Sequence, residues 1–234
     1  MNEKEFIDNI KKIGIKLTDE QIKQFQMYYK LLIEWNNKMN LTTITKKEDV
    51  YLKHFYDSAT LVRAIDLEKQ QNFCDVGSGA GFPGVVIKIL FPNLEVTLVD
   101  SLQKRIIFLN EVINKLKLKK IYTIHARAEE FGRKNKDRFD VVTARAVAPL
   151  NILLEYCIPI VKKEKFFIAM KANISREIFL SKKAIKKLNT KIKEVIEFKL
   201  PIENSQRALI VVQKKGKTPN IYPRDYAKIK KEPL

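Results

Sequence analysis

The chain has 234 residues, 45 Lys and Arg against 27 Asp and Glu, a formal net charge of +18, and 45% hydrophobic residues. That suits one large domain or a domain with a small appendage, and no apolar run reaches the ~20 residues of a membrane span; the opening Met1–Asp8 is acidic and has no signal core. Cys74 and Cys157 sit in apolar contexts and the only histidines are His54 and His125, so no disulfide framework and no metal site are expected, while the positive charge points to a polyanionic partner, foremost a nucleic acid.

In chain order, the first third reads as helical. Thr18-Asp-Glu-Gln21 is a capping box, and Ile22, Phe25, Tyr29, Leu32 and Ile33 follow on one helical face. A second amphipathic stretch carries Leu52, Phe55, Ala59 and Val62. From Asn72 the pattern alternates. Short apolar runs at Phe73–Val76, Glu95–Val99, Ile121–His125, Phe139–Ala144 and Phe166–Met170 are separated by helical segments at Pro83–Leu90, Leu102–Leu118, Ala126–Phe131 and Pro149–Ile158. This predicts an α/β fold with a mostly parallel, doubly wound sheet. A basic helix near Ile174–Leu188 then precedes runs at Ile192–Leu200 and Ala208–Gln213, an antiparallel edge hairpin. Lys214–Leu234 holds Pro219, Pro223 and Pro233 and reads as an extended basic tail. The expected organisation is a helical extension (1–68), a core (69–213) and a tail (214–234).

Four of the seven glycines fall between Gly77 and Gly84. Glycine is needed where backbone takes positive φ or approaches a ligand closely, and this loop joins a strand to a helix, where α/β sheets bind ligands. Two cofactors fit. Gly79-Ala-Gly-Phe-Pro-Gly84 matches the dinucleotide fingerprint, with Asp100 at a suitable distance for ribose hydroxyls. The fuller pattern Asp75-x-Gly77-x-Gly79-x-Gly81 resembles motif I of class I (Rossmann-like) methyltransferases, whose acid and loop face the methionine part of S-adenosylmethionine. Asp100 serves either reading, or simply favours the dipole of the next helix, which Ser101 is expected to cap. Glu129 and Glu130 follow the third strand, where a carboxylate could read a base edge or merely open a helix.

Several blocks together resemble the bacterial RsmG (GidB) family. They are Trp35–Ile44, His54–Ser58, Asp75–Gly84, Leu98–Ser101 with Lys104-Arg105, Arg127–Glu130, Thr143–Leu150, Met170-Lys171 and Tyr222–Arg224. The resemblance implies methylation of guanine N7 in 16S ribosomal RNA and cofactor contacts at Gly77, Phe82, Ala128, Glu129 and Arg145. The loop-and-strand argument adds Ser78, Gly79, Gly81 and Asp100. Ala172 stands where the family usually has glycine, and Phe82 where many relatives are aliphatic.

Guanine N7 carries a lone pair and no proton, so its methylation needs positioning and no general base. Thr143-Ala-Arg-Ala-Val-Ala-Pro149 lacks the Asp/Asn-Pro-Pro-aromatic pattern of exocyclic-amine enzymes, and neither cysteine follows proline as a pyrimidine-C5 nucleophile would. Arg145, ending the fourth strand, is the leading catalytic candidate: it can hold the cofactor carboxylate, orient the guanine O6/N7 edge, or form a structural ion pair with a loop acid. Asn40, His54, Lys171 and Arg224 are RNA-binding candidates, as are the basic helix and tail. The expected partner is 16S ribosomal RNA or the small-subunit particle, the expected state a cytoplasmic monomer. An NAD(P)-dependent oxidoreductase and a non-catalytic RNA-binding protein with a methyltransferase fold are the alternatives.

Overall fold

A computed structural model of the protein describes residues 1–174 and 176–234. Helices α1 (Glu3–Lys12) and α2 (Asp19–Met39) open the chain, each started by a capping box, Asn2 with Glu5 and Thr18 with Gln21. Reciprocal side-chain bonds there satisfy amides that have no partner in the helix. The buried face of α2 runs through Phe25, Tyr28, Leu31 and Leu32. The periodicity had put Tyr29 on that face, but Tyr28 is the tyrosine driven inward. Short turns α3 (Lys47–Asp49) and α4 (Asp57–Ala59) flank a π-helical segment, Val50–Tyr56, that buries Val50, Tyr51, Leu52, Phe55 and Tyr56. Phe6, Phe25, Tyr28, Tyr51 and Phe55 form one aromatic cluster with ring centroids 5.0–6.2 Å apart.

The core alternates β1 (Asn72–Val76), α5 (Gly84–Leu90), β2 (Glu95–Asp100), α6 (Gln103–Lys115), β3 (Ile121–His125), α7 (Ala128–Lys134), β4 (Phe139–Arg145), α8 (Leu150–Cys157) and β5 (Val161–Lys171). After α9 (Glu177–Leu180) and α10 (Lys182–Lys187), β6 (Thr190–Lys199) and β7 (Gln206–Lys214) form the hairpin, and α11 (Tyr226–Lys231) follows. The seven strands lie in the order β3-β2-β1-β4-β5-β7-β6. Pairs from β3 to β5 are parallel, and β7 is antiparallel to both β5 and β6. This is the doubly wound sheet with an antiparallel edge pair that the apolar runs predict.

Period-two alternation sorts the strand residues between two core layers. Val141, Ile168, Met170, Leu209 and Val211 join the layer under α2, α5 and α6, whereas Val142, Phe167, Ala169, Ile210 and Val212 join the layer under α7, α8 and α10. The N-terminal helices belong to the first layer and α11 to the second.

Three expectations need correction. The predicted basic helix is two short helices among the described residues, interrupted where Ser181 Oγ bonds back to the Glu177 carbonyl at 2.6 Å; Ser175, which it was to include, lies outside the described residues. Ser101 does not cap α6, since Leu102 holds that position and the Asp100 carboxylate accepts the Leu102 amide at 2.9 Å. The tail is not an extended arm. Tyr222, Ile229 and Leu234 are buried, and the Lys214 ammonium is fully enclosed against Asp137 and the Ile158 and Pro159 carbonyls.

Candidate active site

Chain reversal between β1 and β4 opens a crevice at the carboxyl ends of the strands. A cleft of about 430 Å³ lies there, its floor formed by Val76, Gly77, Val99 and Asp100 and its sides by Arg105, Ala126–Glu129 and Ala146–Pro149. Ile152, Tyr156, Tyr226 and Lys230 complete it. Burial pushes the Tyr156 hydroxyl up to about 12, so it stays a neutral donor.

The glycine loop spends its own amides. Gly77 and Ser78 both donate to the Val99 carbonyl, Gly79 to Asp100 Oδ2 at 2.8 Å, and Gly81 and Phe82 to the Ser78 carbonyl. Gly84 donates to Asp75 Oδ2 at 2.9 Å. A diphosphate is held by free backbone N–H groups at such a loop; here the amides of Gly77, Ser78, Gly79, Gly81, Phe82 and Gly84 are committed and a carboxylate stands among them. Gly77 takes φ 75°, and a Cβ there would fall 2.5 Å from Val147 Cγ2, closing the neck of the cleft between two of its walls. Gly81 takes φ 95°, and a Cβ would collide with the Tyr28 hydroxyl, which donates to the Ala80 carbonyl. Through Tyr28, α2 clamps the loop from behind.

A second cleft of about 400 Å³ is lined by Lys53, His54, Asp57, Arg145, Ala146, Met170, Lys171, Phe198 and Arg207, among others. Asp57, 5% exposed, is held between two guanidinium groups: Arg145 Nη1 donates to Oδ2 at 3.0 Å and Arg207 Nε to Oδ1 at 3.1 Å. Arg145 also donates to the Lys53 carbonyl at 3.0 Å and lies 3.3 Å from His54 Nδ1. Burial first, and the Arg145 charge second, hold His54 down at about 3. A neutral ring accepting at Nδ1 carries its proton on Nε2, which fits donation to Thr42 Oγ1 at 3.1 Å. Ala146, at φ 56°, lines both clefts. The two clefts therefore lie side by side at the end of β4.

The family model described as rRNA small subunit methyltransferase G matches residues 21–209. The chain is 51% identical to Ribosomal RNA small subunit methyltransferase G of Bacillus licheniformis over 237 aligned positions, covering 100% of this chain and 99% of that protein. It is 47% identical to the protein of the same name from Bacillus subtilis (strain 168), with the same coverage.

The chain belongs to this family.

Among solved structures, M. jannaschii TYW2 in complex with AdoMet is similar in fold, with TM-score 0.56 and 16% identity over 73% of this chain and 77% of that one. TrmN from Thermus thermophilus superposes with TM-score 0.54 and 16% identity over 70% of this chain and 53% of that one. Neither the oxidoreductase nor the non-catalytic alternative is favoured by the family match, and the committed loop amides argue against a dinucleotide.

Of the residues singled out in the sequence, Gly77, Asp100, Ala128 and Glu129 line the first cleft, and His54, Arg145 and Lys171 the second. Ser78, Gly79 and Gly81 support the first cleft through loop bonds, Ser78 Oγ donating to the Asp75 carbonyl at 2.9 Å. Phe82 lies behind the loop, stacked on His54 at 4.4 Å and on Tyr28 at 5.4 Å, with the Arg145 guanidinium 5.4 Å away. Asp75 is buried beneath the loop, its Oδ1 without a hydrogen-bond partner among the described residues. Burial pushes its carboxyl up to about 7.

Of three further RNA-contact candidates, Lys171 and Arg224 are paired within the protein, whereas Asn40 is exposed at the end of α2. Asn40 ends α2 in the left-handed conformation, its amide donating to the Asn36 carbonyl. Lys171 pairs with Glu177 and donates to the Ala148 carbonyl at 2.7 Å. Arg224 is committed to Glu155, bonding it from Nε, Nη2 and the backbone amide at 2.7–2.9 Å. Glu155 itself is fully buried. Sequence reasoning missed Tyr28, Asp57, Ala146, Arg207, Tyr226 and Lys230. Asp57 stood within the His54–Ser58 block and was readable as a partner for Arg145; the others carry no local signal.

Proposed function

We propose that this chain transfers a methyl group from S-adenosylmethionine to N7 of a guanine in 16S ribosomal RNA, with the cofactor in the first cleft and the target base in the second. The observation that carries this is that Ala146 at the end of β4 lines both clefts, so that a cofactor held in one and a base held in the other would be neighbours.

The residues fit the cofactor. Asp100 ends β2, where ribose hydroxyls can donate to it, since a carboxylate accepts more bonds than the Gly79, Leu102 and Arg105 contacts use. Glycine at position 77 leaves room for the Val147 side chain, which lines the same cleft. Ala128, Ile152 and Tyr156 offer an apolar compartment beside Glu129. When bound, S-adenosylmethionine supplies an electrophilic methyl group on a positively charged sulfur.

The chain's own work is positioning. Guanine N7 has no proton to lose, so no side chain acts as a base, and neutral His54 is used as a stacking and hydrogen-bonding brace. Arg145 is the positioning residue. Its contacts to Asp57, the Lys53 carbonyl and His54 use three of its five N–H groups. The remaining donors can hold guanine O6 while N7 stays free for methylation. Cys74 and Cys157, buried and unpaired, suit a reducing cytoplasm, and we take the working form to be a monomer with a helical extension (1–68), a core (69–213) and a docked tail (214–234).

The test is incubation with methyl-labelled S-adenosylmethionine and either naked 16S RNA or small-subunit particles, followed by nucleoside mass spectrometry. Label on guanine N7 in one of the two substrates is expected. Label at another ring atom, or only in RNA from outside the small subunit, overturns the reading.

A further inference from the structure

The stretch after β7 was expected to be an RNA-binding arm, yet it is clipped to the core. Arg224 forks onto Glu155 of α8, Arg133 of α7 pairs with Asp225 at 2.5 Å and donates to the Pro223 carbonyl at 3.2 Å, and Ile229 of α11 is fully buried. Three separate anchors fix a helix of six residues. Such anchoring is more than a loose phosphate-binding tail needs, and its consequence is local: it sets Tyr226 and Lys230 into the wall of the first cleft.

Tyr226 keeps 42% of its surface exposed although its neighbour in the helix, Ile229, keeps none. The Arg127 guanidinium lies 4.8 Å from its ring centroid, and Arg127 is itself a cleft residue immediately before Ala128 and Glu129. A cation over an aromatic face orients the ring without using its hydroxyl. Tyr156, Ile152 and Ala128 complete the same lining. Two aromatic rings, Tyr156 and Tyr226, thus line this part of the cleft with Ile152 and Ala128, and the Glu129 carboxylate is among the same residues. That lining suits a planar heteroaromatic base.

We propose that Tyr226 is a cofactor-binding residue, its ring forming the outer wall against which the adenine of S-adenosylmethionine packs. This rests on the assignment of the first cleft to the cofactor. The tail then serves the cofactor and not the RNA backbone, and the Lys230 ammonium, 5.9 Å from the Tyr226 ring centroid, is a second cation over that ring.

The experiment is calorimetric titration of the full chain with S-adenosylhomocysteine, alongside binding of 16S RNA, for the wild type, Tyr226→Ala, Tyr226→Leu and Tyr226→Phe. Stacking of a base on an aromatic ring is worth about 1–3 kcal/mol, so loss of the ring should weaken nucleoside binding by roughly 5- to 150-fold. Tyr226→Phe should bind within about twofold of wild type, because the face and not the hydroxyl does the packing. RNA affinity should not change, and methyl transfer should recover at saturating S-adenosylmethionine, a rise in KM with kcat kept. Tyr226→Leu keeps an apolar side chain on α11 and must show the same loss, which separates stacking from a loosened helix. Wild-type affinity in both the Ala and Leu variants overturns the role of Tyr226, as does a loss confined to RNA binding. A wild-type chain that fails to bind S-adenosylhomocysteine overturns the cofactor assignment of the cleft itself.

Discussion

Replacing Arg145 with alanine should lower both turnover and stability, and the two effects can be separated. Arg145 and Asp57 form a buried pair 3.0 Å apart, with side chains 14% and 7% exposed. Removing one member of a buried pair costs about 3–5 kcal/mol because the other charge is left uncompensated. Here Arg207 remains on the second carboxylate oxygen at 3.1 Å, so we expect about 2–3 kcal/mol, below the usual penalty. For a chain of this size that is a fall in Tm of about 4–12 °C, within the ~5–15 kcal/mol by which domains are stable. The variant therefore folds. Turnover should fall by about 100-fold or more, since a target base displaced by about 1 Å loses that much, while affinity for S-adenosylhomocysteine stays near wild type. Asp57→Asn, which removes the partner charge but keeps the shape, provides the second corner of a double-mutant cycle. Stability losses in Arg145→Ala and Asp57→Asn should be markedly non-additive in the double variant. Thermal melts, urea unfolding and single-turnover methyl transfer are the measurements. Wild-type turnover in Arg145→Ala, or strictly additive stability losses, would refute the reasoning.

Three further outcomes follow from the geometry. Burial raises the Asp75 carboxyl to about 7 in the folded chain against an ordinary value of 3.8, so between about pH 4 and 7 the folded state holds a proton that the unfolded state has lost, and this residue's contribution to stability falls as pH rises across that window, then levels off; urea unfolding of Asp75→Asn should be less pH-sensitive there, and an unchanged slope would count against it. Arg224→Ala leaves the fully buried Glu155 carboxylate unpaired and should cost about 3–5 kcal/mol, with RNA affinity intact at a temperature where the variant is folded; weakened RNA binding there would return Arg224 to the interface. Gly77→Ala should weaken S-adenosylhomocysteine binding at least tenfold through the clash with Val147, and adding Val147→Ala should recover part of the loss; full wild-type affinity in the single variant would show that the neck is not part of the site.

The strands, their order of appearance and the edge hairpin were legible because half-buried and fully buried strands leave period-two and continuous apolar signals over a few neighbouring residues. The glycine loop was legible for a similar reason: positive φ at Gly77, Gly79 and Gly81 is a local demand that few other residues meet. The face of α2 was misplaced by one position because Tyr28 and Tyr29 score alike in hydrophobicity. What separates them is the carbonyl of Ala80, 52 residues away. Lys171 and Arg224 were read as free cations, and no local pattern announces Glu177 or the buried Glu155 as their partners.

By itself, then, the sequence determined the parallel sheet, the loop at its crevice and, through the resemblance of its blocks, the family. Those are properties of segments, set by side-chain period and backbone freedom. Tertiary structure alone decided which charges are spent inside the molecule and which residues share a cavity. Arg145 became half of an ion pair with Asp57, Ala146 became a lining residue common to two clefts, and the basic tail became a wall of the first cleft. Each of these depends on contacts between residues tens of positions apart, and burial, which gives a charge or a ring its role, exists only once the chain has closed on itself.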